Sequence, residues 1–423
     1  MVYVKNSIVC IFQHYAMRIE GFENLFGFNG FIIDKITYSP EIVQIDLHRD
    51  RRRKMSCPAC RHRLSPNKII HRTVYDLPIG TALCVRINFE TLQGQCSHCG
   101  ISKTFLPDEV DEKATATKRL KRYASALCRF MTAKEVSCIL PFSDDTIRRW
   151  DKEILEQQLG KVDLSKVRYI LIDEKYIGKS QKFITLVLDA ETGELLYLAK
   201  GKSSDSLKPF FEKMPINIRR QIVVACMDRS AAYKSVVKKF CPQAAIVYDK
   251  FHIMKNLNEA VDQVRRAETK KAYKKKQPMI KGERYNILRN SENLKPEQRV
   301  SLQALLDLNA NINCAYMLKE AFRYFWTYRH LGYANKFLSW WLSLALESGL
   351  QPMIRFGMGV CRDWQELVNV LKYGFTNAAM ERFNGTVAKV IARGHGYRDQ
   401  HYLFLKLRQQ TTKYGKFQSA ILR

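Results

Sequence analysis

The chain has 423 residues, in which 70 Lys and Arg outnumber 41 Asp and Glu to give a formal net charge of +29. With 46% hydrophobic and 11% aromatic residues it can bury real cores, which excludes a mostly disordered protein, and its length predicts two to four domains. So large a surplus of positive charge repels itself unless a polyanion compensates it, which makes nucleic acid the expected partner.

The start of the chain carries little functional signal. No uncharged stretch reaches the roughly 20 residues of a membrane-spanning helix, and no convincing signal peptide is present, so we expect an intracellular protein with no membrane partner. Residues 1–50 are interpreted as an N-terminal extension. The basic run that follows is expected to contact phosphates, and it contains Arg51, Arg52 and Arg53.

Residues 51–108 are predicted to form a small zinc-binding β module. Two C-x-x-C pairs, Cys57 with Cys60 and Cys96 with Cys99, enclose a strand-rich stretch. Two thiolates from each of two tight turns complete a tetrahedral Zn²⁺ site, which has no open position and is therefore structural. Ordinary buried cysteines are the alternative interpretation. Three histidines are alternative zinc ligands: His62, His71 and His98.

Residues 109–162 are interpreted as a DNA-binding domain, with helices predicted over 113–160 and one break at 141–143. A helix that starts near Thr132, the short break and a second helix capped by Ser143 fit a helix-turn-helix. The second helix would offer three side chains to a major groove: Thr146, Arg148 and Arg149. A helical hairpin that serves only core packing gives the same pattern, but the neighbouring zinc module favours DNA binding.

Strands and helices alternate over residues 163–264. Three strand candidates rich in Ile, Val, Leu and Tyr come first, with a hairpin turn at 191–193, and an α-β-α-β succession follows. This order predicts a sheet with its first strand at the centre and its fourth strand as a neighbour.

Residues 265–365 are predicted to be all helical and begin with a strongly basic stretch, while residues 366–423 hold a further helix. The basic stretch fits a solvated helix face as well as it fits phosphate contacts. Core packing is favoured over protein contacts or stacking on a flipped base for three tryptophans: Trp326, Trp340 and Trp341.

Two carboxylates follow strands that should be neighbours in the sheet: Asp173 ends the first strand and Asp228 the fourth. Carboxylates at one strand edge can share Mg²⁺, whose octahedral coordination water and a phosphate complete. A third acid should come from a helix, and Glu381 is the best candidate. Glu174 should point to the opposite face of its strand, whereas Asp249 at the end of the fifth strand is a reserve for Asp228.

The order of these motifs resembles the ISL-three family of bacterial insertion-sequence transposases, over about residues 57–408. The most specific segments are Asp-x-Phe-His at 249–252, with the Val-Asp-x-Val-Arg that follows, and Glu-x-x-Asn at 381–384. The resemblance implies a multidomain α/β protein of the DDE superfamily. Its zinc module and helix-turn-helix would precede a ribonuclease-H-like mixed-sheet core, which the helical insertion at 265–365 interrupts and residues 366–423 complete.

The resemblance also implies an activity and a site. Asp173, Asp228 and Glu381 would be the catalytic triad and would hold two Mg²⁺ or Mn²⁺ ions about 3.5 to 4 Å apart for DNA strand cleavage and strand transfer. From the residues themselves, Asp249 and His252 are candidates to support these acids; Asp249 fits a ligand on the phosphate side as well, and His252 fits a helix start as well as a DNA contact. The protein would be cytoplasmic and nucleoid-associated, and would bind double-stranded DNA, both terminal inverted repeats and target, as a homodimer or larger assembly.

The helix of Glu381 departs from the family in two places. Arg382 stands where a small residue is common and Ala388 where a lysine is common, so Lys389 is expected to take the place of that lysine. The residues expected to contact DNA are Arg51, Arg52, Arg53, Thr146, Arg148, Arg149, Asn384, Lys389 and Arg393.

Two other functions fit the same sequence. A DNA-binding regulator would keep the zinc module and the helix-turn-helix on an inactive nuclease-like core. A nuclease would cut DNA without joining it. Acids at all three positions argue against the regulator, and only an assay of joined products separates the nuclease from a transposase.

Overall fold

The computed structural model describes residues 28–39, 41–57, 59–80, 82, 84–178, 182–276, 282–374 and 378–411. The chain divides into two compact units, one of residues 1–160 and 392–409 and the other of residues 161–391 and 410–423. None of the described helices is both long and apolar enough to cross a membrane.

The first unit contains a five-stranded sheet built from β1 (Phe31–Tyr38), β2 (Ile42–Arg49), β3 (Ser65–Asp76), β4 (Cys84–Gln95) and β5 (Ser102–Thr104). The spatial order is β1-β2-β4-β3, with β5 paired to β4. Only β2 and β4 pair in parallel among these strands. Alternate residues of β2 and β4 are buried and give the sheet one core face: Val43, Ile45, Leu47, Val85, Ile87 and Phe89. The sheet thus includes two strands from the stretch that the sequence set apart as an extension.

Three helices follow in this unit: α1 (Lys118–Leu127), α2 (Ala133–Ser137) and α3 (Asp144–Leu159). Thr132 and Glu135 form a capping box at the start of α2, and the Ser143 hydroxyl accepts a hydrogen bond from the Thr146 N–H at the start of α3. The predicted helix, break and second helix are therefore present. The three helices share one core, which includes Leu120, Val136, Ile147 and Trp150.

A helix from the end of the chain, α15 (Gln400–Thr411), contributes residues 400–409 to the first unit. Its Lys406 Nζ lies 3.0 Å from the carboxylate of Asp151, which is fully buried in α3. Tyr402 and Ser125 donate hydrogen bonds to the same carboxylate at 2.5 and 2.7 Å. Breaking such a buried pair costs about 3 to 5 kcal/mol. The sequence interpretation kept all of 366–423 with the catalytic core, because it could not show which helix supplies a cation to Asp151.

The second unit contains a sheet of β6 (Tyr169–Gly178), β7 (Lys182–Asp189), β8 (Leu195–Lys200), β9 (Val224–Met227) and β10 (Ala245–Tyr248). The spatial order is β10-β9-β6-β7-β8. β6, β7 and β8 are antiparallel, whereas β9 and β10 run parallel to β6. The predicted central first strand and its predicted neighbour are confirmed. Three helices connect the later strands: α4 (Ser204–Glu212), α5 (Ile216–Gln221) and α6 (Ala231–Phe240).

The rest of the second unit is helical. It begins with the long helix α7 (Lys250–Lys274) and contains short 3₁₀ segments at Ser291–Asn293 and Phe325–Thr327. The other helices are α8 (Arg284–Leu288), α9 (Pro296–Leu308), α10 (Ala310–Tyr324), α11 (Leu331–Glu347), α12 (Gln351–Arg362), α13 (Trp364–Tyr373) and α14 (Ala378–Arg393), the last of which belongs to this unit up to residue 391. Trp341 is fully buried and donates to the backbone oxygen of Leu318, as core packing predicts, whereas Trp340 is 52% exposed.

Candidate functional site

The four cysteines of the first unit converge. All four Sγ atoms lie within 4.8 Å of one another, with 3.4 Å from Cys57 to Cys99 and 3.4 Å from Cys60 to Cys96. The two turns have the same backbone pattern, because the N–H of the first cysteine donates to the residue five positions later and its C=O accepts from the residue four positions later. The predicted four-cysteine group is therefore assembled from two equivalent turns.

The turns also prepare thiolates. The backbone N–H of Cys60 lowers the pKa of the Cys57 thiol to about 6, and the N–H of Cys99 lowers the pKa of Cys96. Thiolates are the form in which cysteine binds metal. One thiol in each turn thus has a lowered pKa, whereas burial and the neighbouring thiols raise the pKa of Cys60 and of Cys99. Four converging sulfur atoms are a donor set that suits Zn²⁺.

Two of the alternative histidine ligands lie beside this group. The rings of His62 and His98 stack with their centroids 4.5 Å apart, and with Cys60 they form a second group whose ligand atoms lie within 4.8 Å of one another. Both histidines are exposed. His71, the third alternative, belongs to neither group and pairs in the sheet with Glu90.

In the second unit, three aspartates lie in one row across three neighbouring parallel strands. Asp228 and Asp249 directly follow β9 and β10, but Asp173 does not end the first strand as the sequence predicted, because β6 continues to Gly178 in its pairing with β7. The register pairs Ile172 of β6 with Met227 of β9, and Met227 with Tyr248 of β10. The next residue along each strand is an aspartate: Asp173, Asp228 and Asp249. Because adjacent strands lie about 4.8 Å apart, this row brings three carboxylates together at the carboxyl edge of the sheet.

His252 joins two of these carboxylates. Its Nδ1 lies 2.8 Å from Oδ1 of Asp228 and 2.9 Å from Oδ2 of Asp249. The hydrogen bond with Asp228, together with that of Asp249, raises the pKa of His252 to about 10, so the ring is a cation at neutral pH. Asp249 is buried and also caps α7, accepting a hydrogen bond from the Phe251 N–H at 3.1 Å. The cap and the ion pair together fix the position of Asp228.

Asp173 is held from a different element. Nδ2 of Asn384, on α14, donates to its Oδ2 at 2.6 Å, and the Glu174 N–H donates to its Oδ1 at 2.7 Å. Burial, with the charge of Asp228 nearby, raises the pKa of Asp173 to about 6 despite the hydrogen bond from Asn384. Within the part of the chain that the structure describes, the buried Oδ1 of Asn384 has no hydrogen-bond partner. Clustered carboxylates beside an unpartnered amide oxygen are a hard-oxygen donor set that suits a divalent cation.

Glu381 lies one helical turn before Asn384 on α14, so both side chains belong to the same side of that helix. Its carboxylate is exposed, while Met380 and Phe383 anchor the helix in the core. Of the described residues, the tight group of Asp228, Asp249 and His252 includes neither Asp173 nor Glu381. The candidate third acid therefore stands one turn from a residue that contacts Asp173.

Comparison with known proteins decides the family. The family of ISL3-type DDE proteins, described as transposases, matches residues 170–407, more than half of the chain. The chain belongs to the ISL3 family of DDE transposases. It is 26% identical over 393 residues to the transposase for insertion sequence element IS1001 of Bordetella parapertussis, covering 91% of this chain and 96% of that protein. It is 24% identical over 263 residues to the transposase for insertion sequence element IS1557 of Mycobacterium tuberculosis, covering 56% of this chain and 59% of that protein.

Membership of a DDE transposase family implies nucleic-acid cleavage, DNA binding and the use of divalent metal. The row of aspartates and the Asn384 oxygen fit such a metal. The match also spans the helical segment that separates the aspartates of the sheet from Glu381.

In this ISL3-family chain a buried ion pair holds the residue after Asp228. Nε of Arg229 lies 2.5 Å from Oδ2 of Asp363, at the start of α13. Although burial opposes it, the hydrogen bond from Arg229 keeps the pKa of Asp363 below its ordinary value. A Cβ at Gly359 would lie 2.3 Å from the Arg229 guanidinium, so a side chain at this position would have to displace the guanidinium from its present place. Sequence reasoning missed this support, because nothing in the local pattern around Asp363 indicates a partner so far away.

The basic residues expected at DNA in the first unit are mostly exposed. Arg51, Arg52 and Arg53 are all exposed, and the Arg52 guanidinium donates two hydrogen bonds to the Asp50 carboxylate. On α3, Arg148 pairs with Asp145, and Arg149 lies 4.0 Å from Glu153. Thr146 is half-buried and accepts a hydrogen bond from Ser143. Exposed pairs of this kind contribute little to stability, so phosphates can replace the acidic partners.

The three residues of α14 that are expected to contact DNA differ in their exposure and in their hydrogen-bond partners. Lys389 is exposed. Arg393 donates to the backbone oxygen of Arg129 at 2.7 Å, which commits part of its guanidinium to the fold. Asn384 donates to Asp173, a contact that places its amide in the acidic site.

Proposed function

We propose that this chain is the transposase of a bacterial insertion sequence, which binds the terminal inverted repeats of its own element, cuts there and joins the cut ends to target DNA. The observation that carries the proposal is the row of Asp173, Asp228 and Asp249 across three neighbouring strands, with Asn384 hydrogen-bonded to Asp173. That arrangement, in a chain of the ISL3 family, supports a phosphodiester-cleaving site with a ribonuclease-H-like core.

Asp173, Asp228 and Glu381 would hold the divalent ions, with the Oδ1 of Asn384 beside them. Bound Mg²⁺ or Mn²⁺ ions would supply neutralisation of phosphate charge and activation of an attacking water or 3′-hydroxyl, as in two-metal enzymes.

The protein's own residues position these groups. Asn384 orients the Asp173 carboxylate, while Asp249 and His252 orient that of Asp228. Because the Nδ1 of His252 faces the two carboxylates, its Nε2–H can donate to a phosphate oxygen of the substrate.

The first unit would read the repeats. The four cysteines would bind one structural Zn²⁺, and α3 would enter the major groove with Arg148 and Arg149 near base edges. Two acids in the first turn of α3, Asp144 and Asp145, would repel phosphates and favour contacts to base amino groups. Two ends must be processed together, so the chain would act as a homodimer or larger assembly.

The test is incubation of the purified full chain with a labelled end of its element and Mg²⁺ or Mn²⁺, scoring nicked and joined products. We expect metal-dependent nicking and joining. Asp228→Ala and Glu381→Gln should each reduce both by at least about 1000-fold, or roughly 4 kcal/mol of transition-state stabilisation, while repeat binding persists. Glu191→Gln is the matched control, since Glu191 is an exposed acid of the β7–β8 hairpin.

Each other function predicts a distinct result. Tight repeat binding with no cleavage in either metal would identify a DNA-binding regulator. Nicking without joined products would identify a nuclease. Cleavage that survives Glu381→Gln would remove Glu381 from the site while leaving Asp173 and Asp228 in place.

A further inference from the structure

Phe251 is an exposed aromatic residue beside the acidic site. It lies in the first turn of α7 and its side chain is 59% exposed, whereas Ile253 two residues later is 1% exposed. Its ring meets the His252 ring edge-on, with centroids 5.6 Å apart. His252 in turn contacts Asp228. A large apolar ring in this position does little for the core of the unit.

The backbone that carries this ring is held in place by its neighbours. The Asp249 carboxylate accepts a hydrogen bond from the Phe251 N–H and contacts His252, so the first turn of α7 cannot rotate freely. Phenylalanine has only two side-chain torsions and loses little entropy when a partner packs on it. Phe251 is thus a rigid aromatic surface presented to solvent next to carboxylates.

The surrounding charge favours a polyanion as the partner. Lys250 precedes Phe251 and lies with its Nζ 5.4 Å from the centroid of the Trp326 ring, so a basic side chain and two aromatic rings lie together at the start of α7. A basic side chain and an aromatic face side by side are the elements that bind nucleotides, the cation at the phosphate and the ring against the base. An apolar protein partner gains nothing from the adjacent Lys250.

We infer that Phe251 stacks on an unpaired nucleobase next to the scissile phosphate of the element end. The inference rests on the proposed function and deepens it, because it assigns a residue that touches the substrate and requires local opening of the duplex at the cut. Stacking on an aromatic side chain is worth enough to offset part of the cost of unpairing a terminal base.

The experiment places 2-aminopurine at each of the two nucleotides on either side of the cut in a duplex of the element end. Binding of the full chain is followed in Ca²⁺, which keeps the DNA intact, by 2-aminopurine fluorescence and by anisotropy. We expect one position to be quenched by the wild-type chain, an effect that Phe251→Ala and Phe251→Leu abolish and Phe251→Trp preserves. Cleavage in Mg²⁺ should fall roughly 10-fold in the first two variants.

Tyr273→Ala is the control, because Tyr273 is 82% exposed on the same helix but lies about six turns further along. Equal quenching by wild type and Phe251→Leu would overturn the inference. A changed oligomeric mass with unchanged quenching would also overturn it, in favour of a protein contact. If the wild-type chain quenches 2-aminopurine but never cleaves the DNA, the proposed function fails and the stacking stands. If it cleaves the DNA without quenching at any position, the stacking fails and the proposed function stands.

Discussion

The four-cysteine group and the acidic site are built in opposite ways. Each half of the cysteine group is one short turn with its own hydrogen bonds, and the chain between the turns only has to bring them together. The acidic site takes one carboxylate from each of three strands, a cation from the start of α7 and an amide from α14. The first is a local structure used twice, and the second exists only when the whole second unit is folded.

The difference determines what can disturb each site. Loss of one cysteine would remove a quarter of the ligands of the proposed closed zinc site, and the turn that loses it has no further cysteine to replace it. In the acidic site each carboxylate has its own support: Asn384 for Asp173 and the Asp249–His252 pair for Asp228. We therefore expect total loss from changes in the first site and graded loss from changes to the supports of the second.

The largest effect that this comparison predicts is on zinc binding. Cys57→Ser should eliminate the one bound Zn²⁺ per chain and unfold the turns around it, because structural zinc contributes roughly 10 kcal/mol or more to folding of small modules. Binding to the inverted repeats should be lost, while the second unit, which holds the proposed cleavage site, should remain folded. Mass spectrometry measures the metal content, and a gel-shift assay measures binding to the inverted repeats.

Cys138→Ser is the matched control, since Cys138 is exposed at the end of α2 and outside the group. Retention of one zinc by Cys57→Ser would contradict a pure four-cysteine site. It would instead indicate that the stacked His62 and His98 replace the missing thiolate.

The sequence predicted the cysteine group completely, because C-x-x-C spacing is itself the local structure of the turn. It also predicted the strands of the second sheet, the central position of β6 and the placement of Asp173 beside Asp228, since β6 and β9 are parallel neighbours in register. It missed β1 and β2, and it wrongly placed the end of the first strand at Asp173. It could not predict which atom holds which carboxylate. The contact of Asn384 with Asp173 depends on where α14 packs, and the Arg229–Asp363 pair depends on the room left by Gly359.

A graded effect is expected at Asn384. Asn384→Ala should lower strand cleavage by about 10- to 100-fold, the usual loss when a group that orients a metal ligand is removed. It should also raise the Mn²⁺ concentration needed for half-maximal cleavage, which a purely structural role would not do. Cleavage titrated with Mn²⁺ measures both effects.

Thr386→Ala serves as the control on the same helix, because the Thr386 hydroxyl donates only to the backbone oxygen of Arg382. If Asn384→Ala weakens repeat binding and leaves the Mn²⁺ requirement unchanged, the residue contacts DNA, as the sequence first suggested. That result would also remove the main structural argument for Glu381, one turn away.

The smallest effect is predicted where the two cysteine turns differ. Arg61 and Gly100 occupy equivalent positions after Cys60 and Cys99, with φ of 62° and 75°. A left-handed conformation costs a residue with a side chain about 1 to 2 kcal/mol, which glycine avoids at the cost of a more flexible unfolded chain. Arg61→Gly should therefore make the module more stable by about 0.5 to 1 kcal/mol and slow the release of zinc to a chelator, whereas Gly100→Ala should do the reverse. A fall in repeat binding by Arg61→Gly with faster zinc release would mean that the arginine holds the turn through contacts of its own, and that the two turns are equivalent in backbone only.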